Sequence, residues 1–266
     1  MPTIPKHAAD SHKARELAES FGSDAERYDR ARPRYPEALI QRIADAGPGP
    51  EVLVAGSGTG IDARQFQAAG CQVLGVEPDA RMAAFAEHSG VPTEVSAFED
   101  WDPAGRTFDA VVAGMAWHWV DPVAGAAKAY EALRPGGRLA LFWYVFQTPP
   151  ELSTASNAVF RRVLPDLPYG RAAVTLDAYS AFFTKAENGI AETGGFSEPE
   201  RWRYDWSRTY TRDEWLDLVP TAGGMSRLPE HQLTELLAGL GEAVDAIGGS
   251  FTMEFATVAV TVTRNA

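Results

Sequence analysis

Val52-Leu53-Val54-Ala55-Gly56-Ser57-Gly58-Thr59-Gly60 is the stretch on which the fold turns. Four apolar residues run straight into glycines at alternate positions, and an amphipathic segment, Ile61–Ala69, follows at once. A buried parallel strand that turns sharply into a helix has this pattern. Gly56, Gly58 and Gly60 permit positive φ and let a ligand approach the main chain. The N–H groups at the start of the next helix are unpaired and favour an anionic group, carboxylate or phosphate. Cys71–Pro78 reads as the next strand and ends in Glu77, 21 residues after Gly56. At about that spacing a carboxylate reaches the ribose hydroxyls of an adenosine ligand.

Position 61 separates two ligand classes. A dinucleotide-binding turn wants Gly or Ala there, where helix and strand pack closely, and this chain has Ile61. An NAD-dependent oxidoreductase is therefore disfavoured. The run Gly56-x-Gly58-x-Gly60 resembles motif I of the class I S-adenosylmethionine-dependent methyltransferases. Val73–Met82, Glu94–Trp101, Phe108–Asp121 and Leu133–Trp143 resemble the family's later motifs in their order, so the likeness covers most of the chain.

That resemblance implies an α/β fold: a doubly wound, seven-stranded, mostly parallel Rossmann-like sheet with an N-terminal lid and a helical insertion after the fifth strand. It implies S-adenosyl-L-methionine as cofactor, S-adenosyl-L-homocysteine as product, and a small-molecule methyl acceptor. One position departs from the family. An Asp or Glu usually stands two residues before the first motif glycine and helps orient the methionine end; here that position is Val54. The departure keeps two alternatives open: a fold member with cyclase or decarboxylase chemistry, and a non-catalytic binding protein.

The chain has 266 residues, enough for one large α/β domain or two small ones. With 24 Lys and Arg against 36 Asp and Glu its net charge is −12, which disfavours a nucleic-acid partner. Cys71 is the sole cysteine, so an intrachain disulfide and a cysteine-cluster zinc site are excluded. His7, His12, His88 and His231 show no ligand spacing, and no metal is expected. No serine-hydrolase elbow is present either. The first 20 residues lack the apolar core of a signal peptide, and Leu139–Phe146 is too short to span a bilayer. A cytoplasmic protein without a membrane partner is expected; oligomeric state leaves no mark in the sequence.

Residues 1–36 are expected to form an arm or lid and 37–266 the methyltransferase domain, with 144–199 a helical substrate cover. Within the arm, Phe21–Pro36 interleaves Phe21, Tyr28 and Tyr35 with Arg27, Arg30, Arg32 and Arg34. Such segments close over the cofactor in many small-molecule members; the alternative is a surface helix and a proline-rich connector. Glu37–Ala46 reads as a helix, and Asp121-Pro122 as the N-cap and first turn of another that Arg134-Pro135-Gly136-Gly137 ends. Glu151–Leu164 and Leu176–Thr193 read as helices, Glu200–Tyr210 as a strand, and Thr211 with Glu214 as a capping box. Leu233, Leu236, Leu237, Leu240, Val244 and Ile247 form one helical stripe, read as core. In the last strand Phe251, Met253 and Phe255 alternate on odd positions and Val258, Val260 and Val262 on even ones. A bulge near Ala256–Thr257 would keep both sets on one face.

The candidate cofactor site comprises Gly56, Ser57, Gly58, Thr59 and Gly60 of the turn, then Glu77 and Pro78, and Tyr28 and Arg32 from the arm. Ser57 and Thr59 would meet the methionine carboxylate through hydroxyls or amides, and Arg32 offers it a bidentate fork. By resemblance Arg81 or Met82 lies against the adenine, with Met82 as core the alternative. Phe98 and Glu99 fall in the segment that contacts the adenine, Glu99 and Asp100 being alternatives for its exocyclic amine. Ala113, Gly114 and Met115 end the fourth strand, where the family's backbone lies beside the transferable methyl. His118, between Trp117 and Trp119, is the candidate catalytic base; a structural histidine bonded locally is the rival. Tyr144, Phe146, Tyr169, Phe182, Phe183 and Tyr210 are candidate aromatic cover residues, each more readily read as core.

Overall fold

The computed structural model describes residues 20–166 and 176–266. The rest of the arm, with His7 and His12, and the loop residues 167–170, with Tyr169, lie outside the described residues. A short helical turn, Ser20–Asp24, leads into α1 (Ala25–Ala31), and α2 follows at Glu37–Ala46. Strands and helices then alternate: β1 (Glu51–Ala55), α3 (Ile61–Ala68), β2 (Gln72–Glu77), α4 (Ala80–His88), β3 (Thr93–Val95), β4 (Phe108–Gly114). α5 (Pro122–Ala132) joins β4 to the long β5 (Leu133–Gln147). After α6 (Pro150–Val163) and α7 (Leu176–Thr193) come β6 (Glu200–Thr211), α8 (Arg212–Leu218), α9 (Glu230–Asp245) and β7 (Ser250–Thr263).

The strands form one seven-stranded sheet in the order β3-β2-β1-β4-β5-β7-β6. All neighbours up to β5 are parallel, and β7 runs antiparallel to both β5 and β6. This is the expected doubly wound sheet. Its order reverses between β1 and β4, and open α/β sheets bind ligands at the carboxyl ends of strands beside such a reversal. Alternate residues of the central strands feed two cores. Val52, Val54, Val112 and Phe142 face α2 and α3, while Leu53, Val111, Leu141 and Trp143 face α5 and α7.

The local signals act as their chemistry dictates. Asp121 accepts the N–H groups of Val123 and Ala124 with Pro122 in the first turn, and Thr211 and Glu214 complete a reciprocal capping box. The leucine stripe is core, with Leu236, Leu240 and Val244 fully buried.

Three expectations need correction. β7 has no bulge: its pairing with β5 is continuous from Arg138–Thr263 to Gln147–Glu254. The hydrophobic phase changes because the cover changes. Phe251, Met253 and Phe255 meet the core under α9, whereas Val258, Val260 and Val262 meet the core under α7 on the opposite face. Thr257, on the first face, is fully buried and accepts the indole N–H of Trp206 at 2.9 Å.

Next, Arg134–Gly137 lies within β5 rather than between elements, since the helix already ends at Ala132. The ladder is disturbed there, with a register shift opposite Phe108–Ala110 and Gly136 at φ 79°. Finally, the two inserted helices do not form one cover. Leu152 and Phe160 of α6 enter the core shared with α9, and Tyr179, Phe182 and Phe183 of α7 enter the other core. Only α7 reaches the cavity described below.

Candidate active site

A cavity of about 480 Å³ opens at the carboxyl edge of the sheet, over the reversal between β1 and β4. One wall is main chain. Gly56 sits at φ 67° and donates its N–H to Val76 at 2.8 Å. A Cβ there would lie 2.6 Å from that of Ala116, so the turn admits no side chain. Gly114 closes the same wall from β4; a Cβ on it would meet Phe142, the Tyr35 hydroxyl and Asp62 at 2.6–2.8 Å. Met115 follows at φ 54°, an uncommon conformation for a side-chain-bearing residue and one often found at functional sites.

Glu77 ties this wall together. Its carboxylate accepts the N–H of Gly58 at 2.8 Å and that of Asp79 at 2.9 Å, joining the glycine turn to the end of β2. Burial lifts its pKa to about 7, against the pull of those two amides. Pro78, Met82 and Phe98 line the cavity beyond it. Met82 is at once buried and a wall residue, with Sδ 3.9 Å from where a Cβ on Gly58 would stand.

The opposite wall is made of side chains. Phe21, Tyr28 and Arg32 come from the arm, Trp119 from the turn after β4, and Tyr179 from α7. Phe21 packs edge-on against both Tyr28 and Trp119, at 5.9 and 6.1 Å between centroids. The arm is strapped down. Arg30 grips Asp217 of α8 through two bonds of 2.9 Å, Arg64 pairs with Asp29, and Gln65 holds both the N–H and C=O of Tyr35.

Arg32 donates to the Tyr144 hydroxyl and the Thr221 carbonyl, and its guanidinium lies 4.8 Å from the Tyr28 ring centroid. Its Nε–H is enclosed without an acceptor among the described residues. Burial pushes the Tyr28 hydroxyl up to about 12, although the charge of Arg32 opposes this.

Of the residues singled out in the sequence, Tyr28, Arg32, Gly56, Gly58, Glu77, Pro78, Met82, Phe98, Glu99, Gly114, Met115 and His118 come together around the cavity. Four do not. Ser57 points its hydroxyl at β2, 2.6 Å from where a Cβ on Gly75 would stand, because only a glycine there leaves it room. Thr59 is buried and Gly60 packs toward Val91. Ala113 is fully buried in the core of the α5 face, since alternation along β4 turns it away from Gly114.

The neighbours of these residues resolve two alternatives and separate the roles of the two tryptophans. Arg81 is exposed and folds back on Asp79, leaving Met82 as the wall residue. Trp117 is core against Phe98, while Trp119 is wall. Tyr144, Phe146, Phe182, Phe183 and Tyr210 are all core.

Glu99 accepts the N–H of Asp121 at 2.7 Å and so anchors the start of α5 beside the cavity. His118 receives the indole N–H of Trp143 on Nδ1 at 3.3 Å. Burial lowers its pKa to about 3, and Lys185 adds to the effect. It is a neutral ring whose Nδ1 lone pair is already engaged, which disfavours that nitrogen as a general base.

Tyr179 and Phe21 are wall residues not singled out as cofactor or cover groups, and Asp62 and Tyr35 sit just behind Gly114. Asp62 left a readable signal: an acid at a core-facing position beside Ile61, Ala63 and Phe66. Tyr179 left none, because its place depends on how α7 docks against α5. Among the described residues no group of three His, Cys, Asp or Glu side chains is placed to hold a metal ion. Nor is any helix among them long and apolar enough to cross a membrane.

A carboxylate at the end of β2, a glycine main-chain wall and a buried guanidinium suit an adenosine joined to an amino acid. A methyltransferase-domain family model matches residues 28–246, and the chain belongs to that family. Its fold is the class I methyltransferase fold and its cofactor is S-adenosylmethionine.

An uncharacterized methyltransferase of Mycobacterium tuberculosis, Rv3342, is 35% identical over 132 residues, covering 48% of this chain and 54% of the relative. The chain thus spans about half the length of the mycobacterial relatives it matches. A malonyl-[acyl-carrier protein] O-methyltransferase of Enterobacter lignolyticus is 32% identical over 60% of this chain and 62% of its own length. A demethylmenaquinone methyltransferase of Corynebacterium kroppenstedtii is 26% identical, over 58% and 70% respectively. In fold, a candidate type II methyltransferase from Anaeromyxobacter dehalogenans superposes with TM-score 0.62 at 21% identity, covering 88% of this chain and 97% of that one.

Proposed function

We propose that the chain transfers a methyl group from S-adenosylmethionine to a small acceptor with an apolar or aromatic body. The observation that carries this reading is the meeting, in one cavity, of the glycine turn, Glu77 and an aromatic wall drawn from the arm and α7. The relative named for demethylmenaquinone is in keeping with such an acceptor.

Bound there, the cofactor supplies a methyl group made electrophilic by its sulfonium. Glu77 takes the ribose hydroxyls with the lone pairs left after Gly58 and Asp79. Met82 and Phe98 would flank the adenine, with Glu99 or Asp100 available to its exocyclic amine. Arg32 offers its unmatched Nε–H to the methionine carboxylate. Gly114 and Met115 would lie beside the methyl group. Tyr28, Phe21, Trp119 and Tyr179 exclude water and fix the acceptor's plane.

The protein's main task is alignment, worth effective molarities of about 10⁵–10⁸ M. A base would add only ~10²–10⁴-fold. His118 is placed to shape the wall rather than to take a proton. The test is incubation with methyl-labelled S-adenosylmethionine and a panel of aromatic phenols, quinols, amines and aliphatic acids. Label in an aromatic product supports the reading. Label only in aliphatic acids overturns the acceptor class, and cofactor binding without any label transfer overturns the activity.

A further inference from the structure

One buried carboxylate has no ion-pair partner among the described residues. Asp62, the second residue of α3, is only 4% exposed, and no ion pair among the described residues includes it. The guanidinium of Arg64 is committed elsewhere, to Asp29 and the Thr59 carbonyl. Oδ1 of Asp62 accepts the N–H of Ala63 at 2.9 Å. Oδ2 presses against Gly114, 2.8 Å from where a Cβ would be, with the Tyr35 hydroxyl on the same spot. An uncompensated buried carboxylate costs several kcal/mol, roughly, unless a cation meets it. Of the groups nearby, Glu77, Tyr28 and Tyr35 are acids; the Gly114 N–H bonds the carboxylate, and Arg64 draws its pKa down from a distance without forming an ion pair with it.

Its location explains what could. Gly114 is cavity wall at the end of β4, next to β1 and the glycine turn. Val54, which stands where the family carries an acid, is fully buried and faces α2 and α3. Asp62 caps that same face. The acid absent from the strand is present on the helix packed over it, and Gly114, lacking a side chain, lets it approach the wall.

We propose that Asp62 replaces the family acid lost at position 54 and is the counter-charge for the α-ammonium group of the cofactor's methionine end. The proposal rests on the assignment of the cavity to S-adenosylmethionine. Two ligands separate recognition from architecture. S-adenosylhomocysteine carries the amino acid, and 5′-methylthioadenosine keeps the adenosine and thioether but lacks it. By calorimetry, Asp62→Asn should weaken S-adenosylhomocysteine ten- to a hundredfold and leave methylthioadenosine within twofold. Asp62→Glu, which keeps the charge but displaces it, is the second variant should the first fail to fold, and it too should weaken only the amino-acid-bearing ligand. Equal losses for both ligands would make Asp62 architectural and overturn the proposal, as would unchanged S-adenosylhomocysteine affinity in a folded variant. Failure of the wild-type protein to bind either ligand would instead overturn the assignment of the cavity, and the proposal would fall with it.

Discussion

The two walls of the cavity are made of different material. On the side of β1, β2 and β4 the surface is backbone, held by Gly56, Gly114 and the two amide bonds of Glu77. On the arm and α7 side it is ring faces, Phe21, Tyr28, Trp119 and Tyr179, brought together from distant parts of the chain. A backbone wall tolerates almost no substitution, because its shape is its main-chain path. A ring wall changes its specificity by exchanging one side chain, without disturbing the sheet. On the proposed function, the cofactor's ribose and methyl end lie against the first and the acceptor against the second.

The largest expected effects come from putting side chains into the backbone wall. Gly56→Ala meets both the left-handed φ, at about 1–2 kcal/mol, and the methyl of Ala116. Gly114→Ala drives Phe142, Tyr35 and Asp62 apart, an overpacking of about 1–3 kcal/mol. Both variants should melt several degrees lower and bind S-adenosylhomocysteine too weakly for calorimetry. Near-normal melting and affinity in either would show that the wall is not rigid.

The backbone wall also holds two acids in the wrong medium, and this gives a pH dependence. Burial raises Asp62 from 3.8 to about 7 and Glu77 from 4.5 to about 7. Between those limits the folded state holds protons that the unfolded chain has released, so stability falls as pH rises. For Asp62 alone, about 3 pH units at 1.36 kcal/mol each give a loss on the order of 4 kcal/mol. Urea denaturation of the ligand-free protein should give a clearly higher stability at pH 5 than at pH 8. Saturating S-adenosylhomocysteine should flatten the decline, since its ammonium group favours the ionised carboxylate. A curve that rises with pH would contradict the burial of both acids.

A sharper contrast between the walls comes from one substitution on each. Glu77→Ala strands the amides of Gly58 and Asp79 and removes the ribose acceptor, so S-adenosylhomocysteine affinity should drop by roughly 1–3 kcal/mol. Tyr179→Leu should leave that affinity within about threefold, under 1 kcal/mol, and act instead on the acceptor's KM. Comparable losses of cofactor affinity in the two variants would erase the division of labour.

The backbone wall was legible in the sequence and most of the ring wall was not. Glycines at 56 and 58, a strand ending at Glu77 and the turn at Gly114–Met115 are local patterns, written within a few residues of one another. Tyr28 and Arg32 were readable as part of an arm, but which ring faces inward depends on the grip of Arg30 on Asp217. Tyr179 was not readable, because nothing near it in sequence says that α7 lies beside α5 while α6 lies beside α9. The phase change in β7 misled for a related reason. Periodicity reports which face of a strand is buried, but a strand covered on different faces along its length looks the same as a bulged one.

The smallest expected effect concerns His118, which stands where the two walls meet. A general base there would titrate near neutrality and need a lone pair for the acceptor. Burial instead pushes the ring down to about 3, and Nδ1 already takes the indole N–H of Trp143. His118→Asn keeps an acceptor that can face Trp143, so turnover per folded molecule should stay within about threefold, under 1 kcal/mol. His118→Ala orphans the buried indole and should lower stability by about 1–3 kcal/mol, reducing activity only through the folded fraction. Across pH 6 to 9 neither variant should change the shape of the profile, because the wild-type ring stays neutral throughout that range. A fall of ~10²–10⁴-fold in the turnover of folded His118→Asn, with loss of an inflection near pH 7, would return His118 to the chemistry. It would also mean that the acceptor displaces Trp143 from Nδ1 when it binds.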